Sequence, residues 1–276
     1  MGKPFRRAFI EITNACNLSC GFCAATSRPP AFMSPEEFEA AAAQVEPLAA
    51  VVSLHVMGEP FTHPRLPEIL GSCSRLGLKI NLVTNGTLLD RFGPSVFTEK
   101  CLSQLSFSLH ALAALPPRRR LEKLGRLIEF AENKPESLTV GFRLRGSGDD
   151  SFVKETSAYV LNSFAKSAGL RRTDRGIKLR DKVYLNFGAL FEWPGRGPGR
   201  EKNGCLGLRH HFAVLCGGEV VPCCADHDGR LSLGNIKKKP LAEILGGPAA
   251  ARLRDSIAAK TPMPAYCAAC GFTAPC

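Results

Sequence analysis

Between residues 5 and 187 the chain passes six times through a short β-branched or apolar run, and amphipathic segments separate these runs. Phe5–Thr13, Val51–Met57, Lys79–Thr84, Leu102–His110, Leu138–Arg145 and Lys182–Phe187 read as strands. Helices are expected from Ser34-Pro35-Glu36-Glu37 onward, over Arg65–Leu76, weakly near Gly93–Thr98, and over Arg119–Glu132 and Ser151–Ala168. Ser34 can cap, Pro35 suits a first turn, and acids favour the positive helix end. Strands alternating with helices imply βαβ units and parallel pairing. In such folds the chemistry gathers at the carboxyl ends of the strands. Those ends should therefore carry polar or special residues.

The first strand runs into EITNACNLSCGFCAATS, where Cys16, Cys20 and Cys23 stand in C-x3-C-x2-C spacing with Phe22 just before the last. Three thiolates on one loop can hold three irons of a four-iron cluster and leave the fourth open to a ligand. Zinc is the competing reading, although it prefers a closed set of four ligands. Most of the twelve cysteines lie near the two ends of the chain. Cys73 and Cys101 lie between and read as small buried hydrophobes. Near the C-terminal end, Phe191–Gly204 is a Gly/Pro-rich linker. Cys205 then precedes a hairpin signalled by Gly217-Gly218 that ends at Cys223-Cys224. Helices from about Pro240 and over Ala249–Ala259 lead to Cys267, Cys270 and Cys276.

The other strand ends meet the expectation. Met57-Gly58-Glu59-Pro60 follows the second strand and Thr84-Asn85-Gly86 ends the third. Asn-Gly is also simply a strong turn dipeptide. In the fourth strand, period-two alternation puts Ser106, Ser108 and His110 on one face. In the fifth it does the same for Gly141, Arg143 and Arg145. An inward arginine is costly without an anionic partner. His110 is a candidate for proton transfer.

C-x3-C-x-aromatic-C at the end of a first strand resembles the signature of radical S-adenosylmethionine (SAM) enzymes. The resemblance implies an open, partial (β/α)6 TIM-like barrel over residues 1–190 and a [4Fe-4S] cluster on Cys16, Cys20 and Cys23 whose open iron binds SAM. It implies cofactor contacts from Phe22, from Gly58, Glu59 and Pro60 (the family's Gly-Gly-Glu-Pro motif, with Met57 in place of the first glycine), and from Asn85 and Ser108. On this footing the SAM carboxylate is the expected partner of Arg143 and the substrate that of Arg145, with His110 as the proton-transfer residue. Residues 191–276 resemble the small SPASM or twitch extension, which contains a β-hairpin and helices. The resemblance implies one auxiliary [4Fe-4S] cluster on Cys205, Cys223, Cys267 and Cys270, with Cys276 spare or replacing one of them. The longer SPASM pattern has two further cysteines, which this chain lacks. Structural zinc remains the alternative for these tail cysteines.

No long uncharged apolar stretch is present, so no membrane partner is expected, and no secretory h-region opens the chain. Cytoplasmic location is the expectation, since clustered cysteines in a reducing compartment more often bind metal. The net charge of +11 points to an anionic partner or substrate. Its basic runs, Arg118-Arg119-Arg120, Lys237-Lys238-Lys239 and the stretch from Arg171 to Lys182, lack interleaved aromatics and argue against nucleic acid. The cysteine loop starts so early that no leader-binding domain is expected before it. The expected activity is radical hydrogen abstraction from a small polar molecule or peptide, with an oxidation assisted by the auxiliary cluster. An external donor such as flavodoxin or ferredoxin would supply the electron. The alternatives are a radical SAM enzyme acting on RNA and a non-catalytic, metal-stabilised electron carrier or binding module.

Overall fold

The computed structural model describes residues 2–24, 26–165, 170–194, 205–259 and 263–272. In chain order the elements are β1 (Phe5–Ile10), α1 (Pro35–Val45), β2 (Ala49–Ser53), α2 (Leu66–Arg75), β3 (Ile80–Thr84), β4 (Leu102–Ser108), α3 (Pro117–Asn133), β5 (Thr139–Arg145) and α4 (Ser151–Ser163). They continue with β6 (Arg171–Thr173), β7 (Gly176–Arg180), β8 (Val183–Gly188), β9 (His211–Val214), β10 (Glu219–Val221), β11 (Gly234–Asn235), α5 (Leu241–Gly246), α6 (Pro248–Ala259) and α7 (Ala265–Ala268). The chain forms two compact units, one from Met1–Cys16, Cys23–Lys79 and Phe191–Cys276 and the other from Asn17–Phe22 and Ile80–Leu190.

In the first unit the strand order is β11-β10-β9-β1-β2. β1 is parallel to both β2 and β9, so the C-terminal hairpin continues the same sheet as the N-terminal strand. Ala8 and Ile10 on one face of β1 are fully buried, and α1 packs on that strand and on α2. Helix α1 begins where its sequence says it should. Ser34 Oγ accepts the Glu37 amide at 3.1 Å while the Glu37 carboxylate accepts the Ser34 amide at 3.0 Å, and Pro35 follows the cap. The β9–β10 turn uses Gly218 at φ +93°, a backbone position that favours glycine.

In the second unit the order is β3-β4-β5-β8-β7-β6. β3, β4, β5 and β8 run parallel, as the βα alternation requires. Their core is aromatic: Phe142 lies 5.8 Å from Phe107 and 6.4 Å from Phe164 between ring centroids.

Several expectations need correction. β1 ends at Ile10, and Thr13 instead makes an isolated bridge to Phe32. β4 ends at Ser108, and Leu109–Ala114 coils into a 3-10 helix, so His110 does not continue the strand face of Ser106 and Ser108. Arg171 to Arg180 is more than a basic stretch: it forms an antiparallel hairpin, β6–β7, added to β8. Ile177 and Leu179 alternate there with Lys178 and Arg180 in strand fashion, and Leu179 is fully buried. Helix α4 ends at Ser163, short of the expected Ala168. Most of the 191–204 linker, and Cys276, lie outside the described residues.

Candidate cofactor site

The two ends of the cysteine loop, which lie in the first unit, are held together. Asn14 Nδ2 donates to Pro29 O at 2.9 Å and Asn14 Oδ1 accepts the Ala31 amide at 2.7 Å, while Thr13 Oγ1 donates to Ala31 O at 2.8 Å. The entry and exit of the loop are thus stitched together, which limits the conformations open to the thiols between them. Against this neck lies the segment after β2. The Glu59 amide donates to Ala15 O at 2.8 Å, and Thr62 Oγ1 reaches the same carbonyl at 3.2 Å. Gly58 has φ +77°, and a Cβ there would lie 2.5–2.8 Å from backbone atoms of Thr13, Asn14 and Ala15. Only glycine fits that approach. Glu59 is buried, and its Oε1 accepts the Phe61 amide at 3.0 Å, capping the short 3-10 turn Pro60–Thr62.

A residue that sequence reasoning misses joins these parts. Glu11, just past β1, is fully buried. Both of its oxygens meet the Arg28 guanidinium at 2.7 Å, and they also accept the Met57 amide at 3.1 Å and the Cys216 amide at 3.0 Å. One carboxylate therefore ties the segment beyond Cys23, the segment after β2 and the β9–β10 turn together. A buried pair needs this bidentate geometry and extra hydrogen bonds to offset desolvation. Burial pulls the Arg28 pKa down, but the hydrogen bond and charge of Glu11 outweigh it and leave the value raised.

In the second unit Asn17, between the first two loop cysteines, donates to Thr87 Oγ1 at 2.8 Å and accepts from Asn85 Nδ2 at 3.0 Å. Asn85 Oδ1 in turn accepts the Thr87 amide and hydroxyl, at 2.9 and 2.6 Å. Asn85 thus braces the loop segment through Asn17. Phe22 packs on His110 with 4.9 Å between ring centroids. His110 Nδ1 lies 3.1 Å from the Arg143 carbonyl. A carbonyl can only accept, so Nδ1 carries the hydrogen and Nε2 keeps its lone pair. Burial, then the charges of Arg143 and Arg145, push the His110 pKa down to about 4, and the ring is neutral at pH 7. Ser108 and Arg143 are register partners on β4 and β5, as are Arg143 and Asn186 on β5 and β8. Arg145 is held by neutral oxygens, Leu144 O at 3.1 Å, Asn186 O at 2.9 Å and Asn186 Oδ1 at 2.7 Å. Burial and then Arg143 lower its pKa to about 10. Ser106 is buried and accepts from Gln104 Nε2 at 3.0 Å, a packing role.

Cys16 is exposed, and Cys20 and Cys23 are half-buried. Of the other cysteines, Cys205, Cys223 and Cys267 are half-buried and Cys270 is buried. Gly207 sits between Cys205 and Cys223: a Cβ there would lie 3.4 Å from Cys205 Sγ and 3.6 Å from Cys223 Cβ. Its amide donates to Cys205 Sγ at 3.3 Å, the type of outer-sphere bond that tunes cluster sulfurs. Burial, and then Cys224, push the Cys223 thiol well up, with Cys205 adding in the same direction. Such a thiol becomes a thiolate only with a strong Lewis acid to hold it. Tyr266, beside Cys267, donates its hydroxyl to Ala225 O at 2.8 Å and so pins α7 to the loop that follows Cys223-Cys224. Cys73 and Cys101 are buried in the hydrophobic core, as expected. Among the described residues, no three or more His, Cys, Asp and Glu side chains converge as one metal ion would require. The donors are soft and thiol-rich, and their chemistry suits iron–sulfur clusters.

Parallel strands ending in a braced cysteine loop, followed by thiols on a hairpin and a short helix, define an iron–sulfur α/β protein. Residues 10–131 match the Radical SAM superfamily model, and residues 205–271 match SPASM, an iron–sulfur cluster-binding domain. The AdoMet-dependent heme synthase of Methanosarcina barkeri is 37% identical over 85% of this chain and 80% of its own length. The GTP 3′,8-cyclase of Aquifex aeolicus is 26% identical over 70% of this chain and 61% of its own. PqqA peptide cyclase of Streptomyces rochei is 37% identical over 28% of this chain and 22% of its own. The chain thus covers less than two thirds of these last two relatives. The crystal structure of BtrN with AdoMet and 2-DOIA covers 99% of this chain and 95% of that one, with a TM-score of 0.59 and 17% identity, and it shows a shared partial-barrel fold. The chain belongs to the radical SAM enzymes that carry a SPASM domain. The family's cofactors follow: a [4Fe-4S] cluster that binds SAM, and iron–sulfur binding in the SPASM region. Among the described residues no helix is long and apolar enough to cross a membrane.

Proposed function

We propose that this chain reductively cleaves SAM and abstracts hydrogen from a small polar molecule or a peptide, with an oxidation assisted by an auxiliary cluster. The observation that carries the proposal is the neck of the cysteine loop, where Asn14 closes the loop and Gly58 fits against its entry. That is the construction expected of a loop that must hold thiols in place. Cys16, Cys20 and Cys23 hold the SAM-binding cluster. Cys205, Cys223, Cys267 and Cys270 hold the auxiliary one, and residues 1–190 and 191–276 are the two functional modules.

When bound, the cluster and SAM supply a 5′-deoxyadenosyl radical. The chain's own residues orient and exclude water. Phe22 shields the loop, the Gly58-Glu59-Pro60 segment presents backbone oxygens to the SAM ammonium while the Glu59 carboxylate caps the turn behind it, and Asn85 steadies Asn17. Ser108 and Arg143, paired in register, face the carboxylate of SAM. Neutral His110 can accept a proton at Nε2, and Arg145 meets the substrate. The relatives named a GTP cyclase and a PqqA peptide cyclase support a target that is a small polar molecule or a peptide. A reduced flavodoxin or ferredoxin in the cytoplasm supplies the electron.

The test is anaerobic reconstitution with iron and sulfide, followed by SAM and a reductant. About eight irons per chain, four in each of two clusters, and release of 5′-deoxyadenosine are expected. Cys16→Ala should lose that release with its circular dichroism unchanged. Zinc alone in the reconstituted protein would overturn the assignment.

A further inference from the structure

β1 carries a second polar feature well away from the cofactor end. Arg7 shares a strand face with Phe9. It stands four residues before Glu11, roughly 13 Å back along the strand at ~3.3 Å per residue. It is half-buried, whereas its neighbour Arg6 is exposed. Its Nη1 donates to Ser53 Oγ at 3.3 Å, and its guanidinium lies 5.9 Å from the centroid of the Phe9 ring. Among the described residues no carboxylate pairs with it. His211 is its register partner on β9. Phe9 stands edge-on between His55 and His211, at 5.6 and 5.7 Å. Cys224 packs against the apolar cluster of Phe9, Val56, Ala213, Leu215 and Val221.

A half-buried guanidinium without a paired carboxylate is costly, and an anionic ligand would return that cost. The fork has donors to spare, because among the described residues only one hydrogen bond from the guanidinium is made to the protein. Burial, then Arg7 and His210, push the His211 pKa down to about 4. That ring therefore adds a neutral hydrogen-bonding group and no second positive charge. It makes no side-chain hydrogen bond to the described residues.

We propose that Arg7, with Ser53 and His211 beside it, forms a subsite that binds a carboxylate or phosphate group of the substrate. This rests on the proposal that the chain acts on a small polar molecule or peptide, and it makes that substrate anionic at one end. Arg143 and Arg145 are different residues, on β5 in the other unit.

The reconstituted full chain is tested by equilibrium dialysis against labelled inorganic phosphate and, separately, labelled acetate, in a buffer of low ionic strength. Arg6→Gln removes the same charge from an exposed site and controls for non-specific binding by a basic protein. Wild type and Arg6→Gln should bind alike, while Arg7→Gln weakens binding by about tenfold, the scale of one charge-assisted hydrogen bond. Arg7→Lys, which keeps the charge without the fork, should fall between them and decides the matter if Arg7→Gln does not fold. Preference for phosphate would assign a phosphorylated substrate, and preference for acetate a carboxylate. Equal binding by Arg7→Gln and Arg6→Gln, equal binding by Arg7→Lys and wild type, or no saturable binding by wild type would overturn the proposal. Dialysis reads binding alone, so a chain that failed to cleave SAM would still show whether Arg7 holds an anion.

Discussion

Each unit holds a partly buried arginine whose terminal guanidinium nitrogens are hydrogen-bonded, and the two are treated in opposite ways. Arg28, in the first, meets both oxygens of a buried carboxylate. Arg145, in the second, meets only carbonyl and amide oxygens. Burial pulls down both, but Glu11 reverses the shift for Arg28 and nothing does so for Arg145. With the function proposed above, the difference separates a charge used for construction from a charge kept for a ligand. Arg28 has its counter-ion within the fold. Arg145 is positioned by neutral groups, Leu144 O and the two oxygens of Asn186.

The sharpest way to break this comparison is Glu11→Gln. It keeps the shape and leaves Arg28 without its counter-charge, so a loss of about 3–5 kcal/mol is expected. Urea unfolding of the unreconstituted chain would measure it. A loss under about 1 kcal/mol, the ordinary scale of an exposed pair, would put Arg28 in the same class as Arg145. Gly58→Ala comes next. The left-handed backbone and the clash with the Thr13–Ala15 backbone together should cost about 2–4 kcal/mol. SAM-cluster assembly should weaken with it, because the same backbone forms the neck of the loop.

Much of the fold is legible in the sequence and some is not, for reasons that lie in range. The βα alternation, the Ser34–Glu37 capping box and the Gly217-Gly218 turn are local signals, and the structure follows them. Glu11 is invisible because its partners lie 17, 46 and 205 residues away. No pattern in a single sequence points from a strand-end glutamate to Cys216. Asn14 and Asn17 carry a fainter signal: they flank Cys16, and asparagines beside loop cysteines are candidates for bracing. The β6–β7 hairpin hides behind its charges, which mask the alternation of Ile177 and Leu179. Period two, carried two residues past the end of β4, puts His110 on a strand face that the chain has already left.

Histidines offer a weaker test of the same contrast. His211 in the first unit and His110 in the second both have folded pKa values of about 4 against an ordinary 6.5. Between those values the unfolded chain binds more protons than the native one. Stability is therefore fully present above pH 6.5 and is lost as pH falls toward 4. Each ring should account for about 2 kcal/mol of that loss, after allowance for its partial exposure. His211→Gln and His110→Gln should each flatten the stability curve between pH 6.5 and 4. His110→Gln should also lower it above pH 6.5 by about 1 kcal/mol, since the bond to the Arg143 carbonyl goes too. An unchanged slope in either variant would show that its ring is not held neutral by burial.

Arg145→Gln should disturb stability least. The substitution removes three hydrogen bonds to neutral oxygens, each worth about 1 kcal/mol, and also removes the cost of burying a charge, of similar size and opposite sign. The two nearly cancel, so the expected change is under about 1 kcal/mol, or a few degrees in Tm. If Arg145 meets the substrate, formation of product should fall while 5′-deoxyadenosine release without substrate persists, because SAM cleavage does not depend on this side chain. Glu11→Gln should show the reverse, a large loss of stability that carries all activity down with it. A variant of Arg145 as unstable as Glu11→Gln would mean that Asn186 serves in place of the carboxylate. The two arginines would then fill the same structural role by different means.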